Sequence, residues 1–274
     1  MRPRPDFLIA LAILLATPLI SVAQEDPSLA RLNASERHHE WVEVKVGERT
    51  VEVFVVFPET SGRVPAVLVI HENRGLNDWA RSLADQVAEA GYLAVAPDLL
   101  SGLGPEGGKT SDFPDSNAAR DALYTRTQEE VTADLAAVAD WARTVPAADG
   151  SVAVAGFCWG GRQSFQFAAD YPGLSAAFVF YGTPPEDDEA IGRVGCPVYG
   201  FYGGDDARVT ATVEATIERM GAAGKEYVPV TYEGARHGFM RRGEAADSSE
   251  ADRQGREQAW DRWKNLLATL GSPS

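Results

Sequence analysis

The chain has 274 residues, of which 45% are hydrophobic and 24% are charged, with 26 Gly, 16 Pro and only 2 Cys. This composition is typical of a globular protein and excludes a disordered, a collagen-like or a disulfide-scaffolded chain. The 40 acidic side chains outnumber the 25 basic ones, and the formal net charge is −15 with histidine neutral. Because no segment concentrates positive charge, we expect neither nucleic acid nor an anionic membrane surface as a partner.

The first 23 residues have the pattern of a secretory signal peptide. Two arginines precede an apolar stretch that starts at Phe7, and the small residue Ala23 ends the segment. A membrane anchor is the alternative, but Pro18 interrupts the apolar stretch, which is shorter than a span of about 20 residues. We therefore expect cleavage after Ala23. The product, residues 24–274, is predicted to be a soluble single domain that is exported to the periplasm or secreted.

The first pattern after this segment is a two-residue alternation over 41–46 and 50–57, around Gly47-Glu48-Arg49. It predicts a β-hairpin with an exposed turn. Short apolar runs follow at residues 64–70, 92–96, 152–155, 176–181, 198–202 and 227–232. Such runs are typical of strands that are buried on both faces of a parallel sheet.

Helical periodicity fills most of the gaps between these runs. Asn77 is a good N-cap for a helix over the following dozen residues, and apolar stripes also run along 131–141 and 260–270. Alternating strands and helices predict an α/β fold with a mainly parallel sheet, the N-terminal hairpin and helices on both faces. Residues 101–116, rich in Gly, Pro and Ser, are either a functional lid or a plain surface loop.

Reactive side chains follow four of the predicted strands. In an open parallel sheet, ligands bind at the carboxyl ends of the strands. Glu72 follows the run at 64–70, Cys158 the run at 152–155, Asp206 the run at 198–202 and His237 the run at 227–232. We therefore expect these side chains to meet at one edge of the sheet.

Cys158 lies in the sequence Gly156-Phe157-Cys158-Trp159-Gly160, which has the nucleophile-elbow pattern with cysteine in place of serine. Small residues at 156 and 160 allow a strand to turn sharply into a helix. The N-terminus of that helix is expected to favour a thiolate. The alternative is a buried cysteine that acts as a small hydrophobic residue.

The chain order Cys158, Asp206, His237 is that of an α/β-hydrolase triad. His237 would accept the thiol proton and later protonate the leaving group, and the acid would orient the imidazole. Asp205 and Asp206 compete for the acid position, and the D-x-x-V spacing to Val209 favours Asp206.

An oxyanion hole is predicted beside the cysteine. The elbow supplies the backbone N–H of Trp159, and the loop after the run at 64–70 should supply a second N–H, for which Asn73 is the natural donor. No G-x-S-x-G sequence occurs in the chain. A serine version of the same site therefore has no obvious nucleophile.

These motifs resemble those of the dienelactone hydrolase family, α/β hydrolases with a Cys-His-Asp triad. The resemblance spans most of residues 24–274. It rests on H-E-x-x-G at His71, PDLL after the run at 92–96, the G-F-C-W-G-G elbow, the G-x-D-x-x-V acid and H-G-F-x-x-R at His237.

The resemblance implies roles for further side chains. Glu72 would contact the thiol and help to generate the thiolate when substrate binds, and Arg241 would help to hold a substrate carboxylate. Members of the family have a second carboxylate-binding arginine in the middle of their sequences. In this chain, Arg120 and Arg126 are the candidates for it.

The leading hypothesis is a cysteine-dependent hydrolase that opens a small-molecule ester or lactone through an S-acyl-enzyme, without metal or organic cofactor. A carboxylate-bearing enol lactone is the substrate that the resemblance implies, and we expect a monomer or small homo-oligomer. The alternatives are a general carboxylesterase or thioesterase on the same scaffold and a non-catalytic α/β binding protein. Thiol redox chemistry is disfavoured because the chain has no C-x-x-C pair.

The two cysteines are predicted to remain free thiols. Cys158 ends one predicted strand, whereas Cys196 precedes another that should run parallel to it. They would then be separated by roughly one strand length of 17–20 Å. A disulfide tolerates a Cα separation of only about 7 Å.

Overall fold

An eight-stranded sheet runs through residues 26–270, the part of the chain that the computed structural model describes. Its strands are β1 (His39–Val46), β2 (Arg49–Val56), β3 (Val64–Ile70), β4 (Leu93–Pro97), β5 (Ala148–Phe157), β6 (Ala177–Phe180), β7 (Val198–Gly203) and β8 (Tyr227–Tyr232). They lie in the order β1-β2-β4-β3-β5-β6-β7-β8. β2 pairs antiparallel with both β1 and β4, and all other pairs are parallel. The predicted mainly parallel sheet with an N-terminal hairpin is confirmed.

Helices connect the strands and cover the sheet. They are α1 (Pro27–Ala34), α2 (Asp78–Glu89), α3 (Ser116–Leu123), α4 (Gln128–Thr144), α5 (Trp159–Asp170), α6 (Asp188–Arg193), α7 (Ala207–Thr210), α8 (Val213–Ala222), α9 (Phe239–Arg242) and α10 (Glu250–Leu267). Within residues 26–270, none of the helices is both long and apolar enough to span a bilayer. The predicted signal peptide, 1–23, lies outside the described residues.

The hairpin turn is one residue shorter than predicted. Val46 pairs directly with Arg49, so the turn consists of Gly47 and Glu48 and Arg49 already belongs to β2. Gly47 has φ +60°, a backbone conformation that glycine adopts without steric cost. A two-residue turn of this kind matches the twist of the paired strands.

Both faces of the sheet are buried, and the strands divide their side chains between two cores. In β3, Ala66, Leu68 and Ile70 point into one core and Val67 and Val69 into the other. The first core also contains side chains of α3, α4, α5, α6 and α8, and the second contains side chains of α1, α2 and α10. Helices therefore cover both faces, as the continuous apolar runs predict.

The helix predicted after Asn77 begins at Asp78, and the Asn77 side chain accepts a hydrogen bond from the N–H of Ala80 at 3.1 Å. This N-cap is confirmed. The predicted loop 101–116 contains two short 3₁₀ turns, at Pro105–Gly107 and Thr110–Asp112, and leads into α3. The sequence patterns did not predict α3.

Candidate active site

Cys158 occupies the sharp turn between β5 and α5. Its backbone has φ +57° and ψ −112°, a conformation that L residues rarely adopt. A Cβ at Gly156 would lie 1.8 Å from the carbonyl oxygen of Gly160, and a Cβ at Gly160 would lie 2.4 Å from that of His71. Only glycine fits at these two positions, which is the physical reason for the elbow pattern.

His237 lies between Cys158 and Asp206. Its Nε2 is 3.1 Å from the Cys158 Sγ, and its Nδ1 is 2.5 Å from Asp206 Oδ2. Asp206 is buried at the carboxyl end of β7, whereas Asp205 is exposed and its N–H donates to the carbonyl oxygen of Ala235. The structure therefore brings Asp206, and not Asp205, to the histidine.

The Cys158 thiol is protonated at neutral pH in this arrangement. Burial raises its pKa from 9.0 to about 11, and the negative charge of Glu72 acts in the same direction. The N–H of Trp159 and the positive charge of Arg208 lower this pKa, but less strongly. The helix N-terminus thus favours the thiolate in the expected direction, through the N–H of Trp159, but burial and the charge of Glu72 outweigh this effect.

Glu72 lies in the loop that joins β3 to α2, residues 71–77, which we call the β3 loop. Its carboxylate accepts a hydrogen bond from Arg241 Nε at 2.8 Å, and the Tyr181 hydroxyl lies 3.4 Å from its other oxygen. Only 6% of the Glu72 side chain is exposed, so the ion pair with Arg241 compensates a buried charge. Arg241, predicted to hold a substrate carboxylate, is held by the protein's own carboxylate in this state.

The two predicted oxyanion donors lie in two different segments of the chain, the elbow and the β3 loop. Trp159 is the first residue of α5, and its N–H is close enough to the Cys158 sulfur to lower the pKa of the thiol. Asn73 is half-buried in the β3 loop, next to Glu72. The elbow and the β3 loop thus meet at the carboxyl ends of the neighbouring strands β3 and β5.

Two residues that the sequence analysis gave no role lie beside these groups. Tyr181 follows β6, is buried, and packs its ring edge-on against His237 with 5.1 Å between centroids. His71 is fully buried and stacks on the Trp159 ring at 5.8 Å. Both residues directly follow buried strands. The rule that ligands bind at the carboxyl ends of parallel strands, which located Cys158 and His237, therefore also points to these two positions.

The two candidates for a second carboxylate-binding arginine lie in different surroundings. Arg126 is almost fully buried and donates to Asp134 and to the carbonyl oxygen of Leu99, both at 2.8 Å. These contacts hold α4 to the turn after β4 and leave Arg126 unavailable to a substrate. Arg120 is exposed on α3 and pairs with Asp121 at 2.8 Å.

Two grooves flank the β3 loop and share Arg74 and Asn77 on their walls. One has a volume of about 570 Å³ and reaches Arg241. The other, of about 540 Å³, is lined in part by Trp41 and Phe113. Grooves of this size accommodate a small organic molecule.

Among residues 26–270, no three His, Cys, Asp or Glu side chains are grouped so that they could hold a metal ion.

The model of the dienelactone hydrolase family matches residues 51–271. The chain belongs to the dienelactone hydrolase family. It is therefore an α/β hydrolase that acts on an ester or lactone, and its substrate is a small molecule.

Individual members of the family resemble the chain over most of its length. It is 31% identical over 191 residues to a protein provisionally named carboxymethylenebutenolidase from Salmonella typhimurium, covering 66% of this chain and 69% of that protein. A protein of the same provisional name from Methylorubrum extorquens is 28% identical over 237 residues, covering 82% and 78%. The crystal structure of a protein provisionally named dienelactone hydrolase from Klebsiella pneumoniae superposes with a TM-score of 0.74 at 27% identity, covering 85% and 99%.

Proposed function

We propose that this family member is a cysteine-dependent hydrolase that cleaves its ester or lactone through an S-acyl-enzyme. The observation that carries the proposal is the unbroken chain from the Cys158 sulfur to His237 Nε2, at 3.1 Å, and from His237 Nδ1 to Asp206, at 2.5 Å. Such a chain moves a proton from the nucleophile to the histidine and stabilises the imidazolium that results.

In the first half of the reaction, the Cys158 sulfur attacks the carbonyl carbon of the substrate and a tetrahedral oxyanion forms. The N–H groups of Trp159 and Asn73 donate to this oxyanion. When it collapses, the bond between the carbonyl carbon and the alcohol oxygen breaks. His237 gives its proton to the leaving oxygen, and the acyl group remains on the sulfur as a thioester.

In the second half, His237 accepts a proton from a water molecule, whose oxygen attacks the thioester carbon. The carbon–sulfur bond breaks, the carboxylic acid leaves, and Cys158 regains its proton through His237. With a lactone the alcohol and the acid belong to one molecule, so the product is a single hydroxy acid or its keto tautomer.

Substrate binding would activate the thiol through Glu72 and Arg241. A carboxylate on the substrate would compete with Glu72 for the guanidinium of Arg241. This competition is feasible because 31% of the Arg241 side chain is exposed. Glu72, released from its partner and buried beside the thiol, then accepts the thiol proton and passes it to His237, which gives it to the leaving oxygen. This step accounts for a resting thiol with a pKa of about 11 in an enzyme that needs a thiolate.

Turnover by the Cys158→Ala variant tests the nucleophile. We expect hydrolysis of every ester that the wild type cleaves to fall by at least about 10³-fold, because the attacking atom is gone. Cys196→Ala is the matched control and should retain full activity, since Cys196 is buried ahead of β7. Unchanged turnover by Cys158→Ala would refute the proposal.

A substrate panel distinguishes the carboxylate-bearing lactone from the alternatives. Dienelactone, a neutral aryl ester and an acyl thioester should be compared by kcat/KM in the wild type and in Arg241→Gln. We expect dienelactone to be preferred by the wild type and to lose that preference in the variant. Equal rates on the neutral esters would identify a general esterase or thioesterase, and binding without any turnover would identify a binding protein.

We also propose that the chain is exported and cleaved after Ala23, which the N-terminal pattern supports. Expression of the full chain in a bacterium, followed by fractionation and intact mass measurement, tests this. The expected product is the 24–274 chain in the periplasm or medium. A full-length product in the cytoplasm would contradict it.

A further inference from the structure

The first residue of the β3 loop is fixed by its buried side chain. The ring Nδ1 of His71 donates to the carbonyl oxygen of Glu72 at 2.7 Å, and the N–H of Leu99 donates to His71 Nε2 at 3.3 Å. Both bonds require the neutral ring with its proton on Nδ1. Burial lowers the pKa of His71, which keeps the ring in this neutral form.

The other end of the loop is fixed by Thr110. The N–H of Leu76 donates to Thr110 Oγ1 at 3.0 Å, and the same hydroxyl donates to Asp98 Oδ1 at 2.7 Å. The N–H of Thr110 donates to the second oxygen of Asp98 at 3.0 Å. Asp98 is buried, so these bonds are shielded from water. Gly75 lets the loop approach this closely, because a Cβ there would lie 2.2 Å from Thr110 Oγ1.

Both attachments lead to the same turn, residues 98–101, which follows β4. His71 reaches it through Leu99, and Thr110 reaches it through Asp98. The β3 loop is therefore held at its first and sixth residues. The residues between the two attachments include the groups assigned to thiol activation and to the oxyanion.

We propose that His71 and Thr110 are positioning residues that hold the β3 loop in the geometry needed for catalysis. The inference rests on the proposed function, in which Asn73 donates to the oxyanion and Glu72 activates the thiol. An oxyanion donor accelerates the reaction only when it is preorganised, and a displacement of about 1 Å can cost about 10²-fold in rate. In this proposal neither residue takes part in the chemistry, and each acts through the loop.

Thr110→Val tests the second attachment, because valine keeps the shape of threonine but cannot bond to Leu76 or Asp98 through its side chain. We expect kcat to fall by about tenfold or more and KM to stay within about twofold of the wild-type value. The reason is that a displaced loop stabilises the transition state less well but still allows the substrate to bind. Thr110→Ser restores the hydroxyl and should recover most of kcat. The matched control is Ser111→Ala, at an exposed position of the same 3₁₀ turn, whose hydroxyl reaches only Asp112 at 3.3 Å.

The rate at which iodoacetamide alkylates Cys158 separates positioning from general damage. Alkylation needs the thiolate but forms no oxyanion, and a displaced Glu72 would remove a negative charge from beside the thiol. We therefore expect the alkylation rate of Thr110→Val to stay the same or rise while kcat falls. A parallel loss of alkylation and hydrolysis, or an unchanged kcat, would overturn the inference. Neither result would affect the nucleophile assignment, which fails only if Cys158→Ala still turns over.

Two further variants test the loop without removing the Thr110 hydroxyl. Gly75→Ala places a methyl group against Thr110 and should lower kcat, which keeps the inference testable if Thr110→Val does not fold. His71→Phe retains a ring against Trp159 but removes both ring hydrogen bonds, and should also lower kcat. His38→Phe, at an exposed histidine, is its control. Full kcat in both Gly75→Ala and His71→Phe would overturn the inference.

Discussion

Cys158 adopts a backbone conformation that its own side chain disfavours, and the surrounding atoms enforce it. The N–H of Cys158 donates to Phe180 O at 3.0 Å, and its carbonyl oxygen accepts from the N–H of Arg162 at 3.2 Å. These bonds fix the residue between β6 and the first turn of α5. The strain places the sulfur at the end of the sheet, where His237 reaches it.

The glycines of the elbow should tolerate no side chain. We expect Gly156→Ala to lower the free energy of unfolding by about 3 kcal/mol or more, because its methyl group would collide with backbone atoms of Gly160. Gly192→Ala, at an exposed position of α6 with no atom within 4 Å of the added Cβ, should instead raise stability by about 0.5–1 kcal/mol. Urea denaturation measures both. Equal effects of the two substitutions would contradict this account.

The charge of Glu72 should be visible in the reactivity of the thiol. Removing a negative charge stabilises the thiolate, so Glu72→Gln should lower the pKa of Cys158 from about 11 and shift the iodoacetamide rate profile to lower pH. Ester hydrolysis should fall in the same variant, because the proposed proton acceptor is lost. An alkylation profile that stays in place or moves to higher pH would contradict this assignment.

A buried carboxylate on α2 holds residues 35–39 against the domain. Asp85, fully buried, accepts hydrogen bonds from Ser35 Oγ at 2.6 Å, from Arg37 Nη2 at 2.7 Å and, when His39 Nε2 carries a proton, from that nitrogen at 2.9 Å. Burial by itself would raise the pKa of Asp85, but these donors outweigh it and hold the pKa below 3.8. One side chain thus joins α1, β1 and α2.

Asp85→Asn should lower the free energy of unfolding by about 2–4 kcal/mol at pH 7, because it leaves buried donors without a charged acceptor. Since the folded pKa of Asp85 is depressed, its contribution is present above 3.8 and is lost as the pH falls through the lower folded value. The difference between wild type and variant should therefore shrink in strong acid.

The control for Asp85 lies on the same pair of helices. Glu89→Gln breaks the exposed ion pair between Arg31 and Glu89 and should cost less than about 1 kcal/mol. A loss as large as that of Asp85→Asn would show that charge alone, and not burial, decides the effect.

The fold could be predicted from sequence wherever a pattern is local. The apolar runs located the strands, and β3 and β8 have the predicted bounds. The strand-end rule also brought Cys158, Asp206 and His237 together. The short helices α7 and α9 carry four residues each, too few for a periodic stripe to mark them.

Contacts between segments that are far apart in the chain could not be predicted from the sequence. The ion pair between Glu72 and Arg241 joins residues 169 positions apart, and the bonds of Asp85 join residues 46–50 apart. The pKa of Cys158 depends on burial, which the elbow pattern alone does not report. Arg126 illustrates the same limit, because its sequence position fits a substrate ligand while its buried contacts assign it to the scaffold.

For the whole molecule, the parallel arrangement separates the two thiols. Cys158 follows β5 and Cys196 precedes β7, and both are free, as predicted. The unreduced, unfolded protein should therefore take up two alkyl groups, as measured by intact mass. In the native state at pH 8 both should label slowly, because burial raises the pKa of Cys158 to about 11 and that of Cys196 to about 12. A mass two daltons low before labelling would contradict this.

The two outer strands determine whether the sheet can grow. β1 carries the charged residues Glu40, Glu43 and Lys45 along one edge, and β8 at the other edge contains Pro229, which has no N–H to donate. Strand addition from another chain is disfavoured at both sides, so the sheet is protected against edge-to-edge aggregation.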